Sequence, residues 1–107
     1  MSTQPVTRPA VVVLPAEIDA TNASDVRAQL AAAVRPGVQV VIADLTGTVF
    51  CDISGVREFV VAHQRAASDG TELRLLRPCV AVMRVLELTG LDQMLTIRHT
   101  LADAMLP

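Results

Sequence analysis

Asp44-Leu45-Thr46-Gly47-Thr48-Val49-Phe50-Cys51-Asp52-Ile53-Ser54-Gly55 joins an apolar run to a helical pattern, and both flanks can be assigned from it. Upstream, Val38–Leu45 is apolar on both faces except at Gln39 and Asp44, the pattern of a strand inside a sheet covered on both sides. Thr46 and Gly47 turn the chain, and Thr48–Cys51 reads as a short extended segment. Downstream, a helix is expected from Ser54 to about Ser68, with Val56, Phe59, Val60, His63 and Ala67 on one apolar stripe. Asp69 and Gly70 stop it. Ser54 therefore stands where extended chain becomes helix, its hydroxyl in the cap or first turn and Asp52 just outside.

The same pattern continues in both directions. Val11–Leu14 is short and β-branched, and Glu17–Asp19 follows Pro15 as a second short strand or turn edge. Thr21 or Asn22 is placed to cap a helix whose apolar residues fall at Ala23, Val26, Leu30, Ala33 and Val34, ended by Pro36 and Gly37. Leu73–Leu76 reads as a strand, Pro78 precedes a helix over about Val80–Leu88, and Gly90 sits where a left-handed C-terminal cap is wanted. A last strand is expected over Met94–Ile97 and a last helical turn or two over Thr100–Met105, with Met83 and Met94 filling the core. Strands alternating with helices need crossover connections. The fold class is α/β: a mixed, mostly parallel sheet of four to five strands with about four helices. Met1–Pro9 lacks periodicity and reads as a flexible tail, leaving one domain over residues 10–107.

Composition limits the function. The chain has 107 residues, 51% of them hydrophobic, 19% charged and 2% aromatic, with a formal net charge of -2. That apolar content with so little charge excludes a disordered body. No apolar run is longer than Ala10–Leu14, which Pro15 closes far short of the roughly 20 residues of a membrane span. With no secretory leader in view, the expected compartment is the cytoplasm. The nine basic residues are all Arg and are scattered among eleven carboxylates. That argues against nucleic acid as a partner, and Phe50 and Phe59 are too few to stack bases.

Several chemistries can be weighed at Ser54 and its neighbours. Ser54 is either a plain helix cap or a site where the exposed amides and dipole of a helix start favour an added phosphate, with Asp52 opposing it by like charge. A serine hydrolase elbow reads G-x-S-x-G, but Asp52 and Val56 stand two positions either side of Ser54. His63, on the helix stripe, is better read as a structural histidine than as part of a triad. His99 is expected at the surface. Cys51, Cys79, His63 and His99 lack zinc-ligand spacing, and the two cysteines read as reduced thiols. Cys51 beside Asp52 leaves a minor redox reading open. Asp44 and Asp52 lack the acidic pair and later Lys of a Mg²⁺ site. No Gly-rich loop cradles a nucleotide. No cofactor is expected.

Beyond these local readings, D-L-T-G-T-V-F-C-D-I-S-G, the following V-x-x-F-V-V-A-H-Q-R-A, the segment R-V-L-E-L-T-G-L-D at Arg84–Asp92, and E-I-D at Glu17–Asp19 resemble the STAS domain of anti-sigma factor antagonists over about residues 10–98. The resemblance implies a bacterial partner-switching module in transcription regulation rather than an enzyme. In that family the Ser before the motif Gly, here Ser54, is phosphorylated by an anti-sigma factor that is a serine kinase of the histidine-kinase ATPase type. The unmodified antagonist binds this kinase and displaces a sigma factor. The phosphorylated form lets go, and a PP2C-type phosphatase resets it. Asp19, Asp52, Ile53, Gly55 and Arg57 fall on the implied partner-binding surface.

This chain departs from the family pattern at three positions. Ile53 replaces the first hydroxyl residue of the motif, Arg57 replaces a Gly, and Ala16 replaces the Gly before E-I-D. Ile53 puts an apolar side chain on the docking surface, and Arg57 puts a cation three residues on from Ser54, in reach of a phosphate. The alternative is a STAS subunit that binds an ATPase of a transport or signalling assembly constitutively, with Ser54 only a cap. The sequence leaves a weak homodimer open.

Overall fold

The computed structural model describes residues 8–107. Most of the tail expected over Met1–Pro9 lies outside the described residues. Four strands, β1 (Ala10–Val13), β3 (Val40–Asp44), β5 (Glu72–Leu76) and β6 (Thr96–Arg98), form one sheet in the order β1-β3-β5-β6. All of its pairings are parallel, with Val12 opposite Ala43, Ala43 opposite Leu75, and Leu75 opposite Ile97. Between the strands run helices α1 (Ala23–Ala33), α2 (Ile53–Ser68) and α3 (Val80–Thr89), and a short α4 (Leu101–Ala104) closes the chain. β2 (Glu17–Ile18) and β4 (Phe50–Cys51) form a separate parallel pair.

The continuous apolar run of β3 is explained by cover on both faces. Val41 and Ala43 join Leu73 and Leu75 in a core with Val26 and Leu30 of α1, Val56 and Phe59 of α2, and Val82 and Leu86 of α3. Val40, Ile42 and Leu76 face the other way, onto Ala104 and Met105 at the C-terminus. Each large side chain removed from water in this way contributes about 1.5–3 kcal/mol. The small second core is held by a buried cation that hydrophobic pattern does not reveal. Arg74 Nη1 donates to the carbonyls of Ala104, at 2.8 Å, and of Leu106, and Nη2 reaches Glu72 Oε2 at 3.1 Å. Arg74 thus ties α4 to the sheet.

Element boundaries moved in places. Asn22 occupies the N-cap position of α1, but its side chain makes no cap bond. Its Oδ1 accepts from the Asp19 amide at 3.0 Å and its Nδ2 donates to the Glu17 carbonyl at 2.7 Å, so it braces the preceding loop instead. Gly90 ends α3 in the left-handed region, φ 75°, as a residue without Cβ can. The chain then forms a 3-10 turn over Leu91–Gln93, which delays the last strand from the expected Met94–Ile97 to Thr96–Arg98. Leu95 is turned inward and Met94 outward, 48% exposed, so Met94 does not fill the core. Met83 does pack against it. On α2, Ala67 lies exposed while Glu58 and Ala66 are buried, because α1 packs along that side of the helix.

Candidate functional site

The segment before α1 and the segment before α2 are laced together. Thr48 Oγ1 donates to the Pro15 carbonyl at 2.8 Å, Val49 N to Ala16 O at 2.8 Å, and Asp52 N to Ile18 O at 3.1 Å. With Ile18 opposite Cys51 in the β2–β4 pair, Asp19 and Asp52 leave adjacent strand ends together. Two residues far apart in sequence are thereby placed beside the start of α2. Asp19 Oδ1 accepts from the Thr21 hydroxyl and, at 2.9 Å, from the Thr21 amide. The Thr21 side-chain bond first, then its backbone bond, holds the Asp19 carboxyl below its ordinary range.

Asp52, expected just outside the helix, is its cap. Its backbone is extended (φ -89°, ψ -174°) and Oδ1 accepts from the Gly55 amide at 3.1 Å. The plain-cap reading of Ser54 therefore fails: the cap position is filled, and Ser54 is the second residue of the first turn. It is half-buried, and among the described residues its hydroxyl makes no hydrogen bond. Around it Ile53 is 51% exposed, Phe50 49% and Val49 63%, and Arg57 is also exposed. Gly55, expected on the partner-binding surface, is buried instead. A Cβ there would lie 2.6 Å from both Cys51 Sγ and Ile18 Cγ2, so the close approach of α2 to the β2–β4 pair requires glycine.

Cys51 is buried beneath this helix start. Desolvation, and secondarily the charge of Asp52, push its thiol up to about 12. It stays protonated at neutral pH, which removes the thiolate a redox role needs. Cys79 is half-buried against the main core, His63 is half-buried, and His99 is exposed. Among the described residues no three His, Cys, Asp or Glu side chains come together as metal ligands. Asp44 accepts from the amide of Thr46 at 2.9 Å and from its hydroxyl, a local turn at the end of β3.

One pair escaped sequence reasoning. Arg27 of α1 reaches Glu58 of α2 through Nε–Oε1 at 2.6 Å and Nη2–Oε2 at 3.0 Å. Glu58 is only 6% exposed. The contact holds the Arg27 guanidinium above its ordinary range. Glu58 lies off the expected stripe of Val56, Phe59, Val60, His63 and Ala67, and its partner is on another element, so periodicity gives no signal for the pair.

The model of the STAS domain family matches residues 1–104. The chain belongs to the STAS domain family. Solved structures agree on the fold. A candidate anti-sigma factor antagonist from Thermotoga maritima is 26% identical, with a TM-score of 0.77 over 89% of this chain and 84% of that one. An anti-sigma-factor antagonist (STAS) domain protein from Planctomyces limnophilus is 22% identical, with a TM-score of 0.79 over 97% and 92%. The murine Solute Carrier 26 family member A9 anion transporter is 17% identical, with a TM-score of 0.73 over 96% of this chain but only 21% of the transporter. The last two likenesses concern the fold alone. This STAS domain has an anti-sigma factor antagonist-like fold, and the same fold also occurs as part of a transporter. Among the described residues no helix is long and apolar enough to cross a membrane.

Proposed function

We propose that this STAS domain is a cytoplasmic anti-sigma factor antagonist, a binding module rather than a catalyst. It binds an anti-sigma factor that is a serine kinase of the histidine-kinase ATPase type and so releases a sigma factor. Phosphorylation at Ser54 switches it off, and a PP2C-type phosphatase restores it. The observation that carries this reading is the hydroxyl of Ser54, which makes no hydrogen bond among the described residues. Asp52 already caps α2, so Ser54 is not needed as the cap, and Ile53 next to it and Phe50 on the strand leading into the helix are exposed. An apolar rim of this kind suits a protein partner. A phosphate would bring about -1.5 to -2 charges into it, next to Asp52, and set desolvation and repulsion against docking.

Asp19, Asp52, Ile53 and Arg57 supply the surface around Ser54, with Gly55 setting the depth of the helix beneath it. The test is incubation with ATP and candidate anti-sigma kinases. One phosphate per chain is expected, absent in Ser54→Ala. Tight binding without any phosphate transfer favours the second reading, a constitutive subunit of a transport or signalling assembly, which the transporter likeness keeps in view.

A further inference from the structure

We infer that Arg27 is the receiver for a phosphoryl group on Ser54, held ready for it by Glu58. The inference deepens the reading above and rests on Ser54 being the modified residue. Glu58 lies four residues after Ser54, so the two side chains share one stripe of α2, a turn apart. α1 and α2 lie side by side in the same direction, Arg27 and Ala31 lining one wall of a groove and Glu58 and Ala62 the other. Helical side chains lean toward the N-terminus, so Glu58 and Arg27 both reach toward the end of the pair where Ser54 sits.

The donor inventory fits the role. Glu58 occupies Nε and Nη2 of Arg27, and among the described residues Nη1 makes no hydrogen bond. The Arg27 side chain is 48% exposed, so Nη1 is open to a phosphate oxygen while the fork stays on Glu58. Arg57 is the nearer cation in sequence, but it is exposed and among the described residues nothing orients it, so recruiting it costs more side-chain entropy. The charges at this end of the helix pair are otherwise mostly negative: Asp19 and Asp25 from the β2–α1 side, Asp52 at the cap, and Glu58 itself. Arg27 makes a dianion on Ser54 tolerable there and fixes its direction along the α1–α2 seam.

The test uses the full chain with phosphoserine installed at position 54 during synthesis, so it reports on Arg27 whether or not a kinase partner exists. The probe is the ³¹P resonance followed against pH. Arg27→Gln raises the second phosphate pKa by roughly 0.5–1 unit, and Arg57→Gln moves it less. In a Glu58→Gln background, where no buried carboxylate is stranded, Arg27→Gln gives a shift of the same sign. An unmoved titration in Arg27→Gln in both backgrounds, or a larger shift in Arg57→Gln, overturns the assignment. Failure of kinases to modify Ser54 counts against the proposed switch instead.

Discussion

Asp52 Oδ1 accepts the amide hydrogen of Gly55 at 3.1 Å, closing the first turn of α2 across Ser54 without using the serine hydroxyl. Helix capping thereby falls to Asp52, and the modification proposed above to its neighbour Ser54. Asp52→Ala removes the cap and costs about 0.5–2 kcal/mol, whereas Asp52→Asn keeps most of it. Ser54→Ala changes stability by no more than about 0.5 kcal/mol. Urea unfolding of the three variants checks the assignment, and a large loss in Ser54→Ala contradicts it.

Gly55→Ala sets helix propensity against space. Alanine is favoured inside a helix by about 1 kcal/mol. Its Cβ, however, meets Cys51 Sγ and Ile18 Cγ2 at 2.6 Å, and overpacking of this kind costs typically 1–3 kcal/mol. The expected net result is a lower melting temperature, partly recovered when Cys51→Ala removes one of the two contacts. A more stable Gly55→Ala protein means that α2 can move off the β2–β4 pair freely.

Much of this arrangement was legible in the sequence. The apolar run Val40–Ala43 gave a strand buried on both faces, and Gly90 marked the left-handed end of α3. The junction of strand and helix just before Ser54 is where the pattern predicts it. Local pattern did not say which of two neighbouring polar residues caps the helix, because Asp and Ser serve equally well there. Glu58 with Arg27, and Arg74 with the carbonyls of α4, are contacts between distant segments, to which a period of 3.6 or 2 is blind. Met94 does not fill the core because it ends the 3-10 turn in helical backbone, outside the last strand, which begins only at Thr96.

Arg74 gives a prediction about the C-terminal helix. It is buried, and its Nη1 serves the carbonyls of Ala104 and Leu106. Arg74→Leu keeps the apolar bulk but leaves those carbonyls without their charged donor, a loss of about 1.5–3 kcal/mol for hydrogen bonds to a charged group. Hydrogen exchange should then accelerate over Leu101–Leu106 and remain slow in β3 and β5. Unchanged protection of α4 means that Ala104 and Met105 packing alone holds it.

The buried thiol predicts an alkaline limit. Burial first, and the charge of Asp52 second, raise the Cys51 pKa from its ordinary 9.0 to about 12 in the folded state. A raised pKa means that the unfolded chain gives up its proton first as pH rises. Stability is therefore full below about 9, falls between 9 and 12, and levels off above that. Cys51→Ala flattens the decline. At pH 8 a thiol reagent should modify Cys51 only as fast as the protein opens; instant modification of the native protein contradicts the burial.

The most direct measurement is the dissociation constant of the complex with an anti-sigma kinase for the parent chain, Ser54→Ala and Ser54→Glu, at one salt concentration. Parent and Ser54→Ala should bind alike, and Ser54→Glu at least about tenfold more weakly, a difference of about 1.4 kcal/mol. Equal affinity in all three contradicts a switch at Ser54 and leaves a constitutive binding module in its place.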